Sequence, residues 1–499
     1  MAETIEEAFM EDIIADPDDD APRLIYADWL DDHGQEARAE FIRVQIERAK
    51  LGDDDERSDA LRRRERELLA QHGERWLGDL KDGCLISAKK DLSSVFERGF
   101  LQNVWINPGE LVDNADKLYR LGSLCIVYFE AKYGYERLGD SEHARRLREI
   151  YFIASKAWPE IAHLLLSKHL TGLRSLSLTD VSIHTNALSR FLAAPVANSL
   201  RILSLRSAGL TANGAELMAN CAALSGLRYL SLSDNGIGPL GAQFLAGSRH
   251  LGSLSNLRLH SNRITPPGVR ALASSDRLSL LVELELGGNA LGNEGAEAIA
   301  NSKKLPRLAC LGLAHTDLGR TGLSSLAASP LMVALRSLDL SLNPFGNEGS
   351  AILAKGKAPP SLAHFHLREN GIDDDGAKAL AAWGGLAGLR TLGLSKNRLT
   401  AFGLKALLSS PHLGPLTSLH LEDNRLRDLG AQVLAVWPGL ARLRSLSIEA
   451  NDIGDDGVLA LLRSPHFGRP KELFLSEEDL AEPTKQLIAE MRKQGRILT

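Results

Sequence analysis

Leucine returns every 27 residues along most of this chain, and this period constrains the fold more than any other feature. Eleven blocks of equal length begin with leucine, at residues 173, 200, 227, 254, 281, 308, 335, 362, 389, 416 and 443. A fixed period of this length is typical of a solenoid, in which each block forms one coil that packs on the next. The 499 residues therefore do not require several globular domains.

Each block follows one pattern, with leucine or an equivalent at the first, fourth and sixth positions and asparagine at the ninth. The block that begins at Leu227 shows this pattern with Leu230, Leu232 and Asn235, and Gly241 follows near the start of a predicted outer helix. Alternating leucines indicate a short strand with one buried face. We expect the asparagine to bond main-chain groups of adjacent coils and the glycine to avoid crowding the neighbouring coil.

The ninth position departs from asparagine in three of the eleven blocks. Asparagine stands at residues 235, 262, 289, 343, 370, 397, 424 and 451, whereas the other blocks carry Val181, Ala208 and Thr316. We therefore expect an asparagine ladder that is weakest in the first blocks and at the sixth block.

The complete pattern, LxxLxLxxNxIgxxGaxxLa, resembles the leucine-rich repeat of the ribonuclease-inhibitor type. The resemblance implies an α/β leucine-rich repeat solenoid over residues 173–469, a horseshoe with a parallel concave sheet and outer helices. Degenerate copies that begin at Leu101, Leu121 and Leu147 predict that residues 98–172 extend the same sheet as an N-terminal cap. Leu473 predicts a twelfth strand, and residues 470–499 are predicted to close the last hydrophobic layer.

Residues 1–52 predict a small, acidic, all-α unit, and residues 53–97 predict a charged helix and a linker. Helices are predicted near residues 21–32, ended by Gly34, and near residues 36–51. About 50 residues form a marginal core, so we expect this unit to dock on the segment that follows. The arginines of the charged helix either face solvent beside ion-pair partners or bind an acidic surface such as this unit.

The N-terminal unit also carries a specific sequence resemblance. The run ADPDDDAPRLIYADWL from Ala15 to Leu30, followed by Gly34 and by RAEFI from Arg38 to Ile42, resembles the bacterial repeat-companion domain. The resemblance implies a bacterial repeat protein and brings no activity with it.

Charge and composition exclude several classes of function. Residues 1–55 hold 18 acidic and 5 basic side chains, whereas the whole chain holds 64 and 58, so the remainder has no concentrated basic face for nucleic acid. The chain has no run of about 18 apolar residues, so no membrane span is predicted. The acidic N-terminus lacks the pattern of a secretory signal. The four cysteines lie far apart without a CxxC motif, so we expect neither a disulfide framework nor a zinc site. A cytoplasmic protein is expected.

Candidate binding residues are the strand residues that face solvent, at the third, fifth and seventh positions of each block. Equal positions form rows because neighbouring strands lie about 4.8 Å apart. Polar variety in these rows is concentrated between Arg258 and Glu422. The predicted partner-binding residues are Tyr229, Arg258, His260, Glu283, Glu285, Asp339, His364, His366, Arg368, His420 and Glu422.

Two further sets of residues leave alternatives open. The histidines beside Asp339 could hold a metal or act as a base, but ordinary surface histidines are favoured because no third ligand or second shell is evident. The aromatic residues of the degenerate copies, among them Trp105, Tyr128 and Tyr151, could bind a partner, although packing in the core is the favoured interpretation. Cys310 faces the same rows and is predicted to be an inert thiol.

No catalytic motif is present in the chain. There is neither a GxxxxGK[ST] phosphate loop nor a GxSxG nucleophile elbow. We therefore expect a non-enzymatic scaffold for protein–protein interaction, monomeric, without cofactors and binding neither nucleic acid nor membrane. The alternative is a regulator of a partner enzyme, an inhibitor or a GTPase-activator-like protein, since both kinds of regulator contain similar repeats.

Overall fold

The computed structural model describes residues 6, 8–10, 12–13, 19–51, 56–77, 95–121, 126–129, 133–152, 158–468 and 472–497. The chain divides into two compact units. Unit 1 comprises residues 1–209 and 221–227, and unit 2 comprises residues 210–220 and 228–499. The predicted boundaries at residues 52, 97, 172 and 469 remain predictions.

Unit 1 has helical residues at 6, 8–10 and 12–13, followed by three helices at the places that the sequence predicts. They are α1 (Ala21–Asp32), α2 (Glu36–Lys50) and α3 (Glu56–Leu77). The apolar cluster beneath them contains Tyr26, Leu30, Ile42 and also Phe100, which belongs to the first strands of the repeat region. The predicted docking of the N-terminal helices on the segment that follows is therefore confirmed within this unit.

Polar contacts fix α2 between the charged helix α3 and the first strands. Gln45 donates from Nε2 to Glu65 Oε1 at 2.6 Å and accepts at Oε1 from the Gly99 amide at 2.6 Å. Arg64 of α3 binds Glu40 of α2 at 2.7 Å and also Glu67 of its own helix at 3.0 Å. Both alternatives for the charged helix thus hold, because Arg64 binds the N-terminal unit and has an ion-pair partner within its own helix.

The remainder of unit 1 alternates short strands with helices. Its strands are β1 (Phe96–Glu97), β2 (Phe100–Leu101), β3 (Asn103–Trp105), β4 (Ile126–Phe129), β5 (Glu149–Phe152), β6 (Ser175–Thr179) and β7 (Ile202–Arg206). Its helices are α4 (Pro108–Asp113), α5 (Ala115–Leu121), α6 (Tyr135–Asp140), α7 (Trp158–Leu165), α8 (Thr185–Ala193) and α9 (Val196–Ser199), with 3₁₀ turns at Glu142–Arg146 and Ala222–Gly226. Strands β3 to β7 form a parallel sheet in chain order, and β1 pairs with β2 in an antiparallel hairpin.

The predicted frame of the second degenerate copy is wrong. The sequence pattern from Leu121 places residue 124 at the buried fourth position, whereas the sheet aligns Val127 with Val104 and Ile150. Val127 and Phe129 are fully buried, as the fourth and sixth positions require. The frame therefore lies three residues later, and the segment between β4 and β5 carries α6 and the following 3₁₀ turn. Two similar apolar triplets overlap here, and only packing distinguishes them.

Unit 2 continues the alternation with a nearly constant geometry. Its strands are β8 (Tyr229–Ser231), β9 (Asn256–Arg258), β10 (Glu283–Glu285), β11 (Cys310–Gly312), β12 (Ser337–Asp339), β13 (His364–His366), β14 (Thr391–Gly393), β15 (Ser418–His420), β16 (Ser445–Ser447) and β17 (Glu472–Phe474). Its helices are α10 (Ala212–Ala219), α11 (Gly238–Gly247), α12 (Pro266–Ala273), α13 (Gly292–Ala300), α14 (Arg320–Ala328), α15 (Gly346–Lys355), α16 (Asp374–Ala381), α17 (Ala401–Leu408), α18 (Arg427–Val436), α19 (Asp455–Leu462) and α20 (Glu482–Lys493), with 3₁₀ turns at Pro330–Ala334, Gly384–Leu386 and Pro438–Arg442.

The strands of unit 2 pair in parallel and in register from β8 to β17. Each repeat aligns its fourth position with that of the next, so that Leu284, Leu311, Leu338 and Phe365 form one buried row. Leu473 continues this row in β17, which confirms the predicted twelfth strand. The result is the predicted α/β leucine-rich repeat solenoid.

The asparagine ladder is present as predicted and joins consecutive coils. The side-chain oxygen of Asn289 accepts hydrogen bonds from the amides of Asn262 and Ile264 in the preceding coil, at 2.8 and 2.9 Å. Its Nδ2 donates to the carbonyls of Leu259 and Leu286, at 2.9 and 2.8 Å. The same arrangement recurs in seven other repeats. In each, the asparagine side-chain oxygen accepts from an amide of the preceding coil, and Nδ2 donates to main-chain carbonyls. These asparagines are residues 235, 262, 343, 370, 397, 424 and 451.

The expectation for the repeat glycine is confirmed at residues 268 and 322. A methyl group at Gly322 would lie 3.0 Å from the Cα of Asn293 in the preceding coil and 2.8 Å from Leu318. A methyl group at Gly268 would lie 2.9 Å from the Cα of Pro239. These three distances are shorter than ordinary contacts between carbon atoms, so a larger residue would push neighbouring helices apart.

Two further ladders, which the sequence analysis did not predict, join the helical side of the coils. Asp374 accepts from the amides of Thr400 and Gly403 at the start of the next helix, at 2.8 and 2.9 Å. Ser275 donates from Oγ to the carbonyl of Ala246 in the preceding repeat at 2.5 Å. Each coil therefore has polar bonds to its neighbour at several places around its circumference, and these bonds hold the strands in a fixed register.

Candidate functional site

The third, fifth and seventh positions of each repeat lie on the face of the sheet that points away from the buried leucines, which we call the open face. In unit 2 the fifth positions form one row, in which Glu285, Gly312, Asp339, His366, Gly393 and His420 follow each other on neighbouring strands. The predicted rows are thus confirmed. We call the eleven predicted partner-binding residues together the charged patch.

The first part of the charged patch is an internally paired cluster on β8 to β10. Arg258 donates from Nε to Glu283 Oε1 at 2.5 Å, and its guanidinium lies over the ring of Tyr229 at 5.5 Å. Asn256 donates to the second oxygen of Glu283 at 2.7 Å. Both oxygens of Glu283 therefore have partners, and the charges of Arg258 and Glu283 largely cancel.

Glu285 lies next to this cluster but has a different environment. Its carboxylate lies above Gly312 of the neighbouring strand, where even a methyl group would overlap it. Burial, together with the neighbouring Glu283 and Asp339, raises the pKa of Glu285 to about 7 against the opposing effect of Arg258. Among the described residues, no side chain or main-chain group is bonded to this carboxylate. Gly312 thus provides the notch in which Glu285 lies.

The histidines occupy the strands β13 and β15. His366 lies above Gly393, where a methyl group would be 2.7 Å from its Nδ1. Burial lowers the pKa of His366, Asp339 opposes this effect, and His420 and His364 add to it. His364 is exposed, and its Nδ1 lies 3.0 Å from the hydroxyl of Thr391. The neutral imidazole is thus the favoured form of His366 at neutral pH.

The acidic side chains beside the histidines accept hydrogen bonds from neighbouring groups of the protein. Asp339 accepts from the amide of Ser341 at 2.9 Å. Glu422 accepts from the hydroxyl of Ser395. Burial would raise the pKa of Glu422, but hydrogen bonds from Ser395 and Ser447 outweigh it and lower the value.

Five predicted residues meet at one depression of about 340 Å³ on the open face. They are Asp339, His366, Arg368, His420 and Glu422. The side chain of Arg368 is exposed, and among the described residues nothing is bonded to its guanidinium. Of the remaining predicted residues, His260 is exposed with its ring above Gly287, where a methyl group would lie 2.8 Å from its Nδ1.

The open face of unit 1 has a different chemistry, which we call the aromatic stack. Trp105, Tyr128 and Tyr151 occupy equivalent positions on three neighbouring strands. The first two rings are 4.4 Å apart and inclined by 9°, and the last two are 5.0 Å apart and inclined by 18°. By contrast, Phe129 and Phe152 lie in the core. The core interpretation of these aromatics is therefore correct for the phenylalanines and for Trp105, which is buried, whereas Tyr128 and Tyr151 are only half-buried.

Sequence reasoning missed one exposed apolar pair on the helical side of unit 2. Phe402 is 72% exposed and Leu429 is 60% exposed, and both stand at the fourteenth position of consecutive repeats. The signal was available, because this position holds polar residues in the neighbouring repeats, Asp375 and Asp456.

Within the part of the chain that the structure describes, the features expected of a metal site, a reactive cysteine or a membrane span are not found. Among the described residues, no group of three or more histidine, cysteine, aspartate or glutamate side chains is placed to hold a metal ion. Burial raises the pKa of Cys310, and Glu283 and Glu285 raise it further, so its thiol is not activated. No helix among the described residues is long and apolar enough to cross a membrane.

Comparison with known proteins supports the repeat assignment. The family model described as leucine-rich repeat matches residues 226–246, 278–300, 334–350, 358–381, 415–435 and 442–462. No curated protein sequence matches the chain significantly.

Several solved structures resemble the chain at low sequence identity. A leucine-rich repeat protein of Leptospira interrogans has 19% identity and a TM-score of 0.40, with 79% of this chain and 88% of that chain covered. An internalin of Listeria monocytogenes has 20% identity and a TM-score of 0.35, with 61% and 81% covered. The leucine-rich repeat ectodomain of a plant membrane receptor kinase from Arabidopsis thaliana, solved in complex with Casparian strip integrity factor 2, has 18% identity and a TM-score of 0.37, with 72% and 45% covered.

Proposed function

We propose that this leucine-rich repeat protein is a non-enzymatic scaffold that binds a partner protein on the open face of unit 2. The observation that carries the proposal is the separation of roles within each repeat. Buried leucines and ladder asparagines hold the coils together, whereas the side chains of His260, His364 and Arg368 are exposed on or just after short strands and take no part in the buried layer. Charged and imidazole side chains that the fold does not use are available for recognition.

The character of the charged patch favours a polar and reversible interaction. Tyr229 is the one aromatic residue among the eleven members of the patch, and Trp and Tyr anchors are the usual centres of tight interfaces. The charges instead suit a partner of complementary charge, which steers association and determines specificity. Leucine-rich repeats are in general modules for protein interaction, which agrees with this assignment.

The members of the charged patch have two roles under this proposal. His260, His364, Arg368 and Glu285 contact the partner, since the first three are exposed and Glu285 has no bonded neighbour among the described residues. Glu283, Asp339, Glu422, His366 and His420 shape the surface around them, as do Arg258 and Tyr229.

The test is to remove three exposed side chains of the patch and to leave its bonded carboxylates and Arg258 unchanged. A variant with His260→Ala, His364→Ala and Arg368→Ala should lose its native partner in pull-downs from the source cell, while the midpoint of thermal unfolding stays within about a degree of wild type, because surface changes of this kind alter stability by under ~0.5 kcal/mol.

The matched control changes the exposed apolar pair on the helical side. A variant with Phe402→Ser and Leu429→Ser should retain the partner. Retention by the open-face variant together with loss by this control would overturn the proposal and place the interface on the helices.

A further inference from the structure

The charges on the open face of unit 2 divide into those that are satisfied internally and those that are not. Glu283 is bonded by Arg258 and Asn256, Asp339 by the amide of Ser341, and Glu422 by Ser395. Within the described part of the chain, two charged side chains of the patch have no bonded partner. They are Glu285 in the notch above Gly312 and Arg368 at the edge of the depression.

We propose that Glu285 and Arg368 form a two-point receptor for an extended segment of the partner protein, with a basic side chain bound at Glu285 and an acidic side chain bound at Arg368. This inference rests on the proposed function and deepens it, because it states the chemistry of the segment that the open face recognises. The other charged residues of the patch, whose charges are paired internally, determine the shape of the surface and add no net attraction.

The geometry of the sheet determines the spacing of the two charges in the partner. Glu285 and Arg368 lie on β10 and at the end of β13, three strands apart and offset by two residues along the strand. Strand spacing of about 4.8 Å and a rise of about 3.3 Å per residue separate their backbones by ~16 Å. In an extended peptide, residues four apart lie about 13 Å apart and on the same side, so two side chains can reach both points.

Residues three or five apart in an extended peptide face opposite sides and cannot both reach the receptor. A pair two apart spans only about 7 Å and is too short. The structure therefore predicts a basic and an acidic residue separated by three others. Either order is acceptable, since an extended peptide can lie across the strands in both directions.

The environment of Glu285 favours a cation in this position. Its carboxylate is removed from most of the solvent and lies near two other acidic groups, Glu283 and Asp339, with Arg258 as the nearby positive charge. A basic side chain would replace the solvation that the carboxylate has lost. Binding would lower the pKa of Glu285 from about 7 and release part of a proton near neutral pH.

The experiment uses the full-length protein and arrays of short synthetic peptides built on a serine and threonine background. The probes carry lysine and glutamate four residues apart, the same pair two or three residues apart, two lysines four apart, or two glutamates four apart. Wild type should bind the mixed pair at four residues about tenfold better than the other probes, as expected for one additional ion pair at a partly buried site.

Charge reversal at the receptor provides the decisive comparison. Glu285→Lys should shift the preference to two glutamates, and Arg368→Glu should shift it to two lysines. The variant that carries both substitutions should again prefer the mixed pair. Glu449→Lys, an exposed substitution on the same face outside the charged patch, should leave the preference of wild type unchanged.

A milder variant keeps the proposal falsifiable if Glu285→Lys fails to fold. Glu285→Gln retains the shape of the side chain and should abolish the preference for lysine. An unchanged preference in the reversed variants, or equal binding of all probes by wild type, would overturn the two-point receptor.

The two proposals fail in distinguishable ways. Partner loss in the open-face alanine variant, together with no selectivity on the peptide arrays, would leave the scaffold function standing and reject the receptor. Partner retention in that variant would reject the open face as the interface of the native partner, whatever the peptides show.

Discussion

The two open faces differ in how their side chains satisfy one another. In unit 1 the rings of Trp105, Tyr128 and Tyr151 stack face to face on neighbouring strands. In unit 2 the equivalent row holds charged residues, histidines and glycines, and Glu285 in this row has no bonded partner among the residues that the structure describes. The stacked rings of unit 1 cover each other's faces, whereas the charged side chains of unit 2 can still bind a ligand.

The difference follows from how each region joins its coils. The strict repeats use a buried asparagine whose side chain bonds the preceding coil and its own coil, so their cohesion does not depend on the open face alone. The degenerate copies at β3 to β5 have no asparagine at that position, and aromatic stacking supplies part of the contact between strands. The charged patch is therefore the surface available for recognition, and the aromatic stack is structural. Three substitutions, each with a matched control, test this distinction.

The largest effect is expected from the centre of the ladder. Asn289→Ala removes bonds to the amides of Asn262 and Ile264 and to the carbonyls of Leu259 and Leu286, and leaves buried groups unsatisfied. We expect a loss of roughly 3 kcal/mol in the free energy of unfolding. Hydrogen exchange should quicken at the amides of residues 262 and 264 before it changes elsewhere.

Thr316→Ala provides the control at the same position of the next repeat. The hydroxyl of Thr316 donates to the carbonyl of Leu313 at 2.9 Å and has a longer contact of 3.4 Å with Asn343 Oδ1. Its loss should cost about 1 kcal/mol. Equal effects of the two substitutions would show that the ladder does not carry the cohesion of the strict repeats.

A smaller effect is expected in the aromatic stack. Tyr128→Leu keeps an apolar side chain but removes two ring contacts, and each such contact contributes about 0.5–1.5 kcal/mol beyond the area that it buries. Thermal unfolding of unit 1 should therefore shift by an amount that corresponds to about 1–2 kcal/mol. Tyr128→Phe retains the ring contacts and should lose less stability than Tyr128→Leu.

The same pair of variants tests whether the aromatic stack takes part in binding. Neither Tyr128→Leu nor Tyr128→Phe should change partner capture by the charged patch. Loss of capture by the folded leucine variant would mean that the stack belongs to the interface, and the contrast between the two faces would not hold.

The smallest effect concerns pH. The pKa of Glu285 is raised to about 7 in the folded protein, so the folded state holds this proton more tightly than the unfolded chain. The stability that protonation provides is fully present below the unfolded pKa near 4.5 and is lost as pH rises through about 7. Glu285→Gln should match wild type near pH 4.

Above pH 7 the glutamine variant should be more stable than wild type by an amount on the order of 1 kcal/mol. Unfolding midpoints measured across this range provide the test, with Glu449→Gln as an exposed control that should show no such trend. A difference that stays constant with pH would mean that the carboxylate is not strained, and the argument for a cation at Glu285 would weaken.

Part of the candidate site was accessible from the sequence. The constant period predicted which residues share a row, and the structure aligns Asp339, His366 and His420 as expected. The sequence could not tell which charges bind each other. Glu283 and Glu285 are two residues apart with the same charge, yet one is neutralised by Arg258 and the other lies in a notch that only a glycine on the next strand creates.

The degenerate copies show where periodicity stops being informative. Between Leu121 and Phe129 two overlapping apolar triplets fit the repeat, and three-dimensional packing selects the later one. Likewise, the aromatic residues of this region read as one apolar class in sequence, whereas the alternation of a strand sends Phe129 inward and Tyr128 outward. The choice depends on register, which a degenerate pattern specifies weakly.

The sequence by itself determined the architecture of the strict repeats, because a leucine, an asparagine and a glycine at fixed positions each answer a requirement of one coil against the next. The tertiary structure alone decided which polar side chains remain free. Neighbours on the open face are 27 residues apart in the chain, and the pairing of Arg258, the notch at Gly312 and the exposure of Arg368 arise only when consecutive coils stack.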